Sequence, residues 1–155
     1  LEEMSLDKIV TIVGHGAEKV KDYLGQRVDY ALQEEQLGTA HAVQQARSLL
    51  MGEEGTTVVV SGDTPLLTAE SLNAAFGYHE KHQAKVTVLS AHVENSFGYG
   101  RVIRDEDGSL DRIIEEKDAT DEERLIREIN TGTYFFDNEA LFNSLNKVEN
   151  NNAQG

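Results

Sequence analysis

Short β-branched runs alternate with amphipathic stretches through the first half of the chain. Lys8–Val13 (KIVTIV) ends at Gly14 and predicts a buried strand. Residues 15–24 carry Ala17, Val20, Lys21 and Leu24 at helical spacing, closed by Gly25. Val28–Leu32 predicts a second strand, and Thr39 is placed to cap a helix with Ala42, Val43, Ala46, Leu49 and Leu50 on one face. Thr56–Val60 (TTVVV) reads as the central strand, and Thr68 as the cap of a helix turning Leu72, Ala75 and Phe76 inward. Val86–Leu89 is the next strand. This alternation predicts an α/β fold: a Rossmann-like, doubly wound, mostly parallel sheet.

The second half changes character. Arg101–Arg104 and Leu110–Glu115 flank the acidic turn Asp105-Glu106-Asp107-Gly108, which predicts a small β-hairpin subregion. Residues 121–128 read as a short charged helix or loop, Asn130–Phe136 as a strand and Ala140–Leu145 as a short helix. The Asn-rich tail Glu149–Gly155 is expected to fray, and Leu1–Ser5 reads as the end of a helix.

Composition narrows the chemistry. With 39% hydrophobic and 27% charged residues, 155 residues suffice for one packed domain. No apolar run approaches the roughly 20 residues of a membrane span. Without cysteine, neither disulfides nor thiolate chemistry is available, which fits a cytoplasmic protein. Twenty-eight acids against fourteen bases give a formal charge of −14, which disfavours nucleic acid and anionic membranes as partners. A polyphosphate would have to be held by backbone N–H groups and a hard cation such as Mg²⁺ on one or two carboxylates.

Four motifs carry candidate chemistry, each beside a plain structural reading. Gln33–Ala42 (QEEQLGTAHA) joins a strand end to a helix start, and the Gln33 amide suits the imide edge of a pyrimidine, though the pattern by itself favours an ordinary strand–helix connection with a capping Thr. Ser61-Gly62-Asp63-Thr64-Pro65 puts a carboxylate past a strand end, where open α/β sheets bind ligands; Asp63 is the best candidate Mg²⁺ ligand, or simply the start of an Asx-turn. Phe97-Gly98-Tyr99-Gly100-Arg101 suggests backbone bent around something flat or tightly packed. Glu115, at a strand end, and Asn130, before a strand, could both bind sugar hydroxyls or merely be surface polar groups. The histidines at 15, 41, 79, 82 and 92 have no zinc-ligand spacing, and Ser61 has no triad partners in a convincing order.

In their joint order, QEEQLGTAHA, GDTPLL (62–67), GYGR (98–101), IEEKDA (114–119), EINTG (128–132) and NNAQG (151–155) resemble the uridylyltransferase domain of the bacterial bifunctional UDP-N-acetylglucosamine pyrophosphorylase/glucosamine-1-phosphate N-acetyltransferases. The resemblance spans nearly the whole chain. It implies formation of UDP-N-acetylglucosamine and pyrophosphate from UTP and N-acetylglucosamine 1-phosphate, for cell-wall precursor synthesis. On it, Gln33, Gly38 and Thr39 would bind uracil, Asp63 would bind Mg²⁺, and Gly100, Glu115 and Asn130 would hold the sugar and its surroundings. The family's opening glycine-rich phosphate loop has no counterpart here, nor has the downstream Asn that gives the second Mg²⁺ ligand. Nor has the C-terminal domain that carries acetyl transfer and trimer contacts. Residues 1–155 are therefore expected to be the central part of a nucleotidylyltransferase domain, inactive alone, from a homotrimeric parent. Some relatives carry an aromatic residue at the position of Ser61, so any contact there is expected through backbone. The competing expectations are a nucleotide-sugar glycosyltransferase, whose Asp-x-Asp pattern is broken here by Asp63-Thr64-Pro65, and a non-catalytic nucleotide-sugar-binding module.

Overall fold

The computed structural model describes residues 4–64 and 67–147. The tail and its NNAQG motif, the first three residues, and Pro65 and Leu66 of the GDTPLL motif lie outside them. Seven strands and five helices follow in the order β1 (Val10–Val13), α1 (Ala17–Leu24), β2 (Asp29–Leu32), α2 (Thr39–Gln45), α3 (Arg47–Leu50), β3 (Thr56–Val59), α4 (Ala69–Lys81), β4 (Val86–His92), β5 (Arg101–Arg104), β6 (Leu110–Ile114), β7 (Glu128–Asp137) and α5 (Asn138–Leu145). Glu123–Leu125 form a 3₁₀ turn between β6 and β7.

The α/β class holds, but the sheets are mixed rather than mostly parallel. β1 and β2 pair in parallel, Val10 beside Asp29 through Val13 beside Leu32. In the second sheet every pairing is antiparallel, because β7 enters between β3 and β4. Tyr134, Phe135 and Phe136 face Val59, Val58 and Thr57 on one side and Val88, Thr87 and Val86 on the other. The two strands joined by α4 therefore run parallel to each other, as the alternation implies, with an antiparallel strand wedged between them. Sequence alternation reports the direction of successive strands but not a late strand inserted between them. β5 then pairs with β6 as the expected hairpin and touches β7 at Arg101–Ile129.

Helices cover both faces of this second sheet. On one, Val43 of α2 and Leu141, Phe142 and Leu145 of α5 pack with Val59 and Phe136. On the other, Leu72 and His79 of α4 are buried, with His79 bonded through Nδ1 to Thr87 Oγ1 at 2.8 Å and its ring beside Phe135. Phe76 is not inward; it is 41% exposed, and His79, one turn further on, fills the buried position. β3 is not a doubly paired central strand among the described residues: only β7 pairs with it, and all four of its residues are half-buried. Of β1, only Val13 is buried.

Caps explain where the helices begin. Thr68 Oγ1 accepts from Ser71 N at 3.1 Å, as its position predicts, and Asp137 Oδ1 accepts from Ala140 N at 2.9 Å. Thr39 does not cap α2; it is the first helical residue, and Gly38 stands before it with no side-chain cap. Buried Asn138 ties the α3–β3 connection to α5: its amide donates to Leu50 O and Glu53 O and accepts from Thr57 Oγ1. All of its strong polar groups are thereby paired, which lets a polar side chain sit in the core.

Candidate active site

Two clusters form around the predicted residues. The first lies beyond the ends of β1 and β2. Gln33 Nε2 donates to Gly38 O at 3.2 Å and lies 3.1 Å from His41 Nδ1. A carbonyl can only accept, so Gly38 O fixes which end of the amide faces the loop. Gln33 Oε1 is left without a partner among the described residues. The His41 ring lies between two amide groups, Gln33 Nε2 at Nδ1 and Gln45 Nε2 3.1 Å from Nε2, and Gln45 also donates to His41 O at 3.0 Å. Gly14 closes the floor: a Cβ there would sit 2.9 Å from Gln36 Nε2 and 3.2 Å from Gln33 O. Gln33, Gly38 and Thr39 are thus brought together, joined by His41.

The second cluster is built where β3, the β5–β6 hairpin and β7 converge. Asn130 N donates to Gly100 O at 2.9 Å. A Cβ on Gly100 would meet Glu115 Oε1 at 3.1 Å and Ile113 Cγ2 at 3.3 Å, so only glycine lets the carboxylate approach the backbone this closely. Gly100, Glu115 and Asn130 are therefore neighbours although thirty residues of sequence separate the first from the last. On the other side of Asn130, Gly132 turns with φ +74, and a Cβ there would lie 3.3 Å from Ser61 Oγ. That contact brings the end of β3, two residues before Asp63, against β7.

Carboxylates divide sharply in this region. Glu116 is fixed: its Oε2 accepts from Arg101 Nη2 at 2.6 Å and from Gly98 N at 3.1 Å, and Arg124 lies 3.6 Å from Oε1. The bond from Arg101, first, and that from Gly98 hold its pKa below the ordinary range. Arg101, 1% exposed, also donates from Nη1 to Tyr99 O, so the Phe97–Arg101 segment is folded around an ion pair. Glu128 is fixed too, by Arg104 at 2.6 and 2.7 Å and by Ser90 Oγ at 2.6 Å. The Arg104 bond is the main cause lowering its pKa to about 2. Asp63 and Glu115, by contrast, make no side-chain hydrogen bond or ion pair among the described residues. Among the described residues the Asp63 side chain makes no Asx-turn bond, and Thr64 Oγ1 donates to Ser61 O at 2.8 Å.

Among the described residues no group of three or more His, Asp or Glu side chains is arranged for a metal. A lone exposed carboxylate suits Mg²⁺, which keeps waters and takes its remaining ligands from substrate phosphates, better than zinc. A cleft of about 720 Å³ is lined by Phe97, Arg101, Glu116, Lys117 and Arg124 among others and by none of the predicted site residues. It flanks the brace rather than the clusters. No helix of the described residues is long and apolar enough to cross a membrane.

Sequence reading missed Glu116, Arg101, His41 and Tyr134, whose hydroxyl meets Asn130. One signal was available: an arginine opening an apolar strand, as in Arg101-Val102-Ile103, needs a buried acid nearby.

The described residues thus form an α/β domain with a helix-covered sheet and with unpaired carboxylates and an amide beyond its strand ends. Residues 4–154 match the Nucleotidyl transferase family, and the chain belongs to it. It is similar to the bifunctional protein GlmU of Bacillus licheniformis, 61% identical over 153 residues, covering 99% of this chain and 34% of that protein. It is likewise similar to GlmU of Enterococcus faecalis, 57% identical over 155 residues, covering 100% of this chain and 34% of that protein. The chain thus spans about a third of the length of the curated relatives it matches. Its fold is shared with a UDP-glucose pyrophosphorylase solved with UDP-glucose (TM-score 0.66, 17% identity, 91% of this chain and 62% of that one). It is shared also with HddC of Yersinia pseudotuberculosis (TM-score 0.63, 21% identity, 89% and 59%).

Proposed function

We propose that the protein carrying this chain is a uridylyltransferase that makes UDP-N-acetylglucosamine and pyrophosphate from UTP and N-acetylglucosamine 1-phosphate. One observation carries the reading: Gly100, Glu115 and Asn130 lie together on the β5–β6 hairpin and β7, and the Glu115 carboxylate has no partner among the described residues while the adjacent Glu116 is locked in an ion pair. The high identity to GlmU proteins over the whole chain supports the same reaction class.

Gln33 Oε1 would accept the uracil imide N–H, with backbone at Gly38 and Thr39 flanking the base. Glu115 and Asn130 would accept from and donate to sugar hydroxyls, with Gly100 providing the close backbone wall. A phosphate oxygen of the sugar phosphate attacks the α-phosphorus, the bond to the β-phosphate bridging oxygen breaks, and pyrophosphate leaves. Mg²⁺, held by Asp63, would supply neutralisation of the phosphate charge during that displacement. The residues of both clusters act by positioning, which places nucleophile and α-phosphorus in line.

This activity belongs with cell-wall precursor synthesis in the cytoplasm. Acetyl transfer to glucosamine 1-phosphate and trimer assembly would belong to sequence beyond these residues.

The test is Asp63→Ala in the protein that carries this chain, assayed for Mg²⁺-dependent pyrophosphate release. The expected loss is on the order of 10³-fold in kcat or more. Near-normal turnover would remove Asp63 from the metal site, and release of free UDP instead of pyrophosphate would point to a glycosyltransferase.

A further inference from the structure

We infer that Tyr134 is a positioning residue of the sugar side, setting the Asn130 amide for ligand before ligand arrives. The inference rests on the functional reading above. Asn130 Oδ1 accepts from Gly132 N at 3.0 Å, and Nδ2 donates to Tyr134 Oη at 2.5 Å. Of the two ends of the amide only the oxygen can accept an N–H, so Gly132 fixes its orientation and thereby presents the NH₂ group to Tyr134. The amide is gripped at both ends within one strand.

The surrounding backbone is shaped for this grip. β7 departs from regular pairing with β4 between Leu89 and Ser90, so that Leu89 faces Thr133 and Ser90 faces Asn130. Thr131 and Gly132 form the excursion, Thr131 Oγ1 donating to Leu89 O at 2.6 Å. That excursion brings the Asn130 side chain back to the Tyr134 hydroxyl four residues on. An irregularity of this kind re-aims a side chain at the cost of ladder pairing.

What the grip leaves is the useful part. Asn130 keeps one N–H and one oxygen lone pair for a ligand, in a fixed orientation. Because Tyr134 Oη accepts from Asn130, its own proton remains free to donate. Burial, and then the nearby Glu115 charge, raise the Tyr134 pKa, so that proton is retained at neutral pH. A side chain already held in its binding rotamer loses less freedom on binding.

A packing role is the rival account, since the Tyr134 ring stacks on Phe136 at 5.8 Å. Tyr134→Phe separates them, because it keeps the ring and removes only the hydroxyl. In the protein that carries this chain, Tyr134→Phe is expected to raise KM for N-acetylglucosamine 1-phosphate about tenfold, with KM for UTP within about twofold. Asn130→Ala should raise the same KM at least as much, and the double variant should be no worse than Asn130→Ala alone. An unchanged sugar-phosphate KM in Tyr134→Phe, beside an impaired Asn130→Ala, overturns the role of Tyr134 and leaves the functional reading standing. A fall in Tm with both KM values raised together also overturns it, in favour of packing. No pyrophosphate release by the unsubstituted protein overturns the functional reading and this inference with it.

Discussion

The two clusters of the candidate site are built from different forces. Around Gln33 the partners are neutral: an amide, a carbonyl and an imidazole, on segments that are exposed or half-buried. Around Gly100 and Asn130 the support is ionic, with Arg101–Glu116 and Arg104–Glu128 pinning the hairpin and β7 on either side of the cluster. Charge-assisted bonds are roughly twice as strong as neutral ones and are held more rigidly. A sugar with several similar hydroxyls demands fixed geometry, whereas a flat base can be read by a side chain that adjusts. The difference therefore matches what each side would have to recognise.

Breaking the ionic brace gives the largest expected effect. Glu116→Ala leaves Arg101, 1% exposed, as a buried cation without its counter-ion. The expected result is a drop of roughly 10 °C in Tm, read by thermal denaturation. Titration should show sugar-phosphate binding lost before UTP binding, because the Phe97–Arg101 segment loses its anchor. Equal loss of both would mean that the two clusters share one support.

Acid gives the next effect, which on the ionic side falls on Glu128. Glu128, with a folded pKa of about 2, binds protons less readily in the folded than in the unfolded chain. Its contribution is present above the unfolded value of about 4.5 and is lost as pH falls through about 2. Urea midpoints should therefore decline as pH is lowered between those limits. Glu128→Gln should lower the midpoint at neutral pH and flatten that slope.

The smallest effect tests the neutral side. His41→Ala removes the imidazole beside Gln33 but no charge pair. We expect KM for UTP to rise about fivefold, with stability unchanged within about 0.5 kcal/mol. A large loss of stability would show that this network supports the fold as well as the base.

Much of this architecture was legible from periodicity. The strands over Thr56–Val59 and Val86–Leu89, the Thr68-capped helix and the β5–β6 hairpin all announce themselves through β-branched runs, a cap and an acidic turn. The antiparallel insertion of β7 did not, because strand order depends on contacts far apart in sequence. Phe76 was expected inward and His79 takes the buried position instead, because hydrophobicity alone does not count the Thr87 hydroxyl that satisfies a buried imidazole. Gly100, Glu115 and Asn130 were named from motif order, and the structure does bring them together. The residues that hold them, Glu116 and Tyr134, carry no local signature, since each acts through a partner on another strand or beyond an excursion in its own.

The place of β7 also bears on how the chain must be made. Thr56 opens β3, yet its ladder partner is Asp137, and β4 waits for the same strand. During synthesis both early strands emerge with open edges, and no earlier described segment closes the gap between them. Long-range pairing of this kind folds slowly and leaves strand edges available to neighbouring chains. Translation of the stretch up to residue 137 is thus a period of exposure for the facing edges of β3 and β4, and the arrival of Tyr134–Phe136 pairs both of those edges at once.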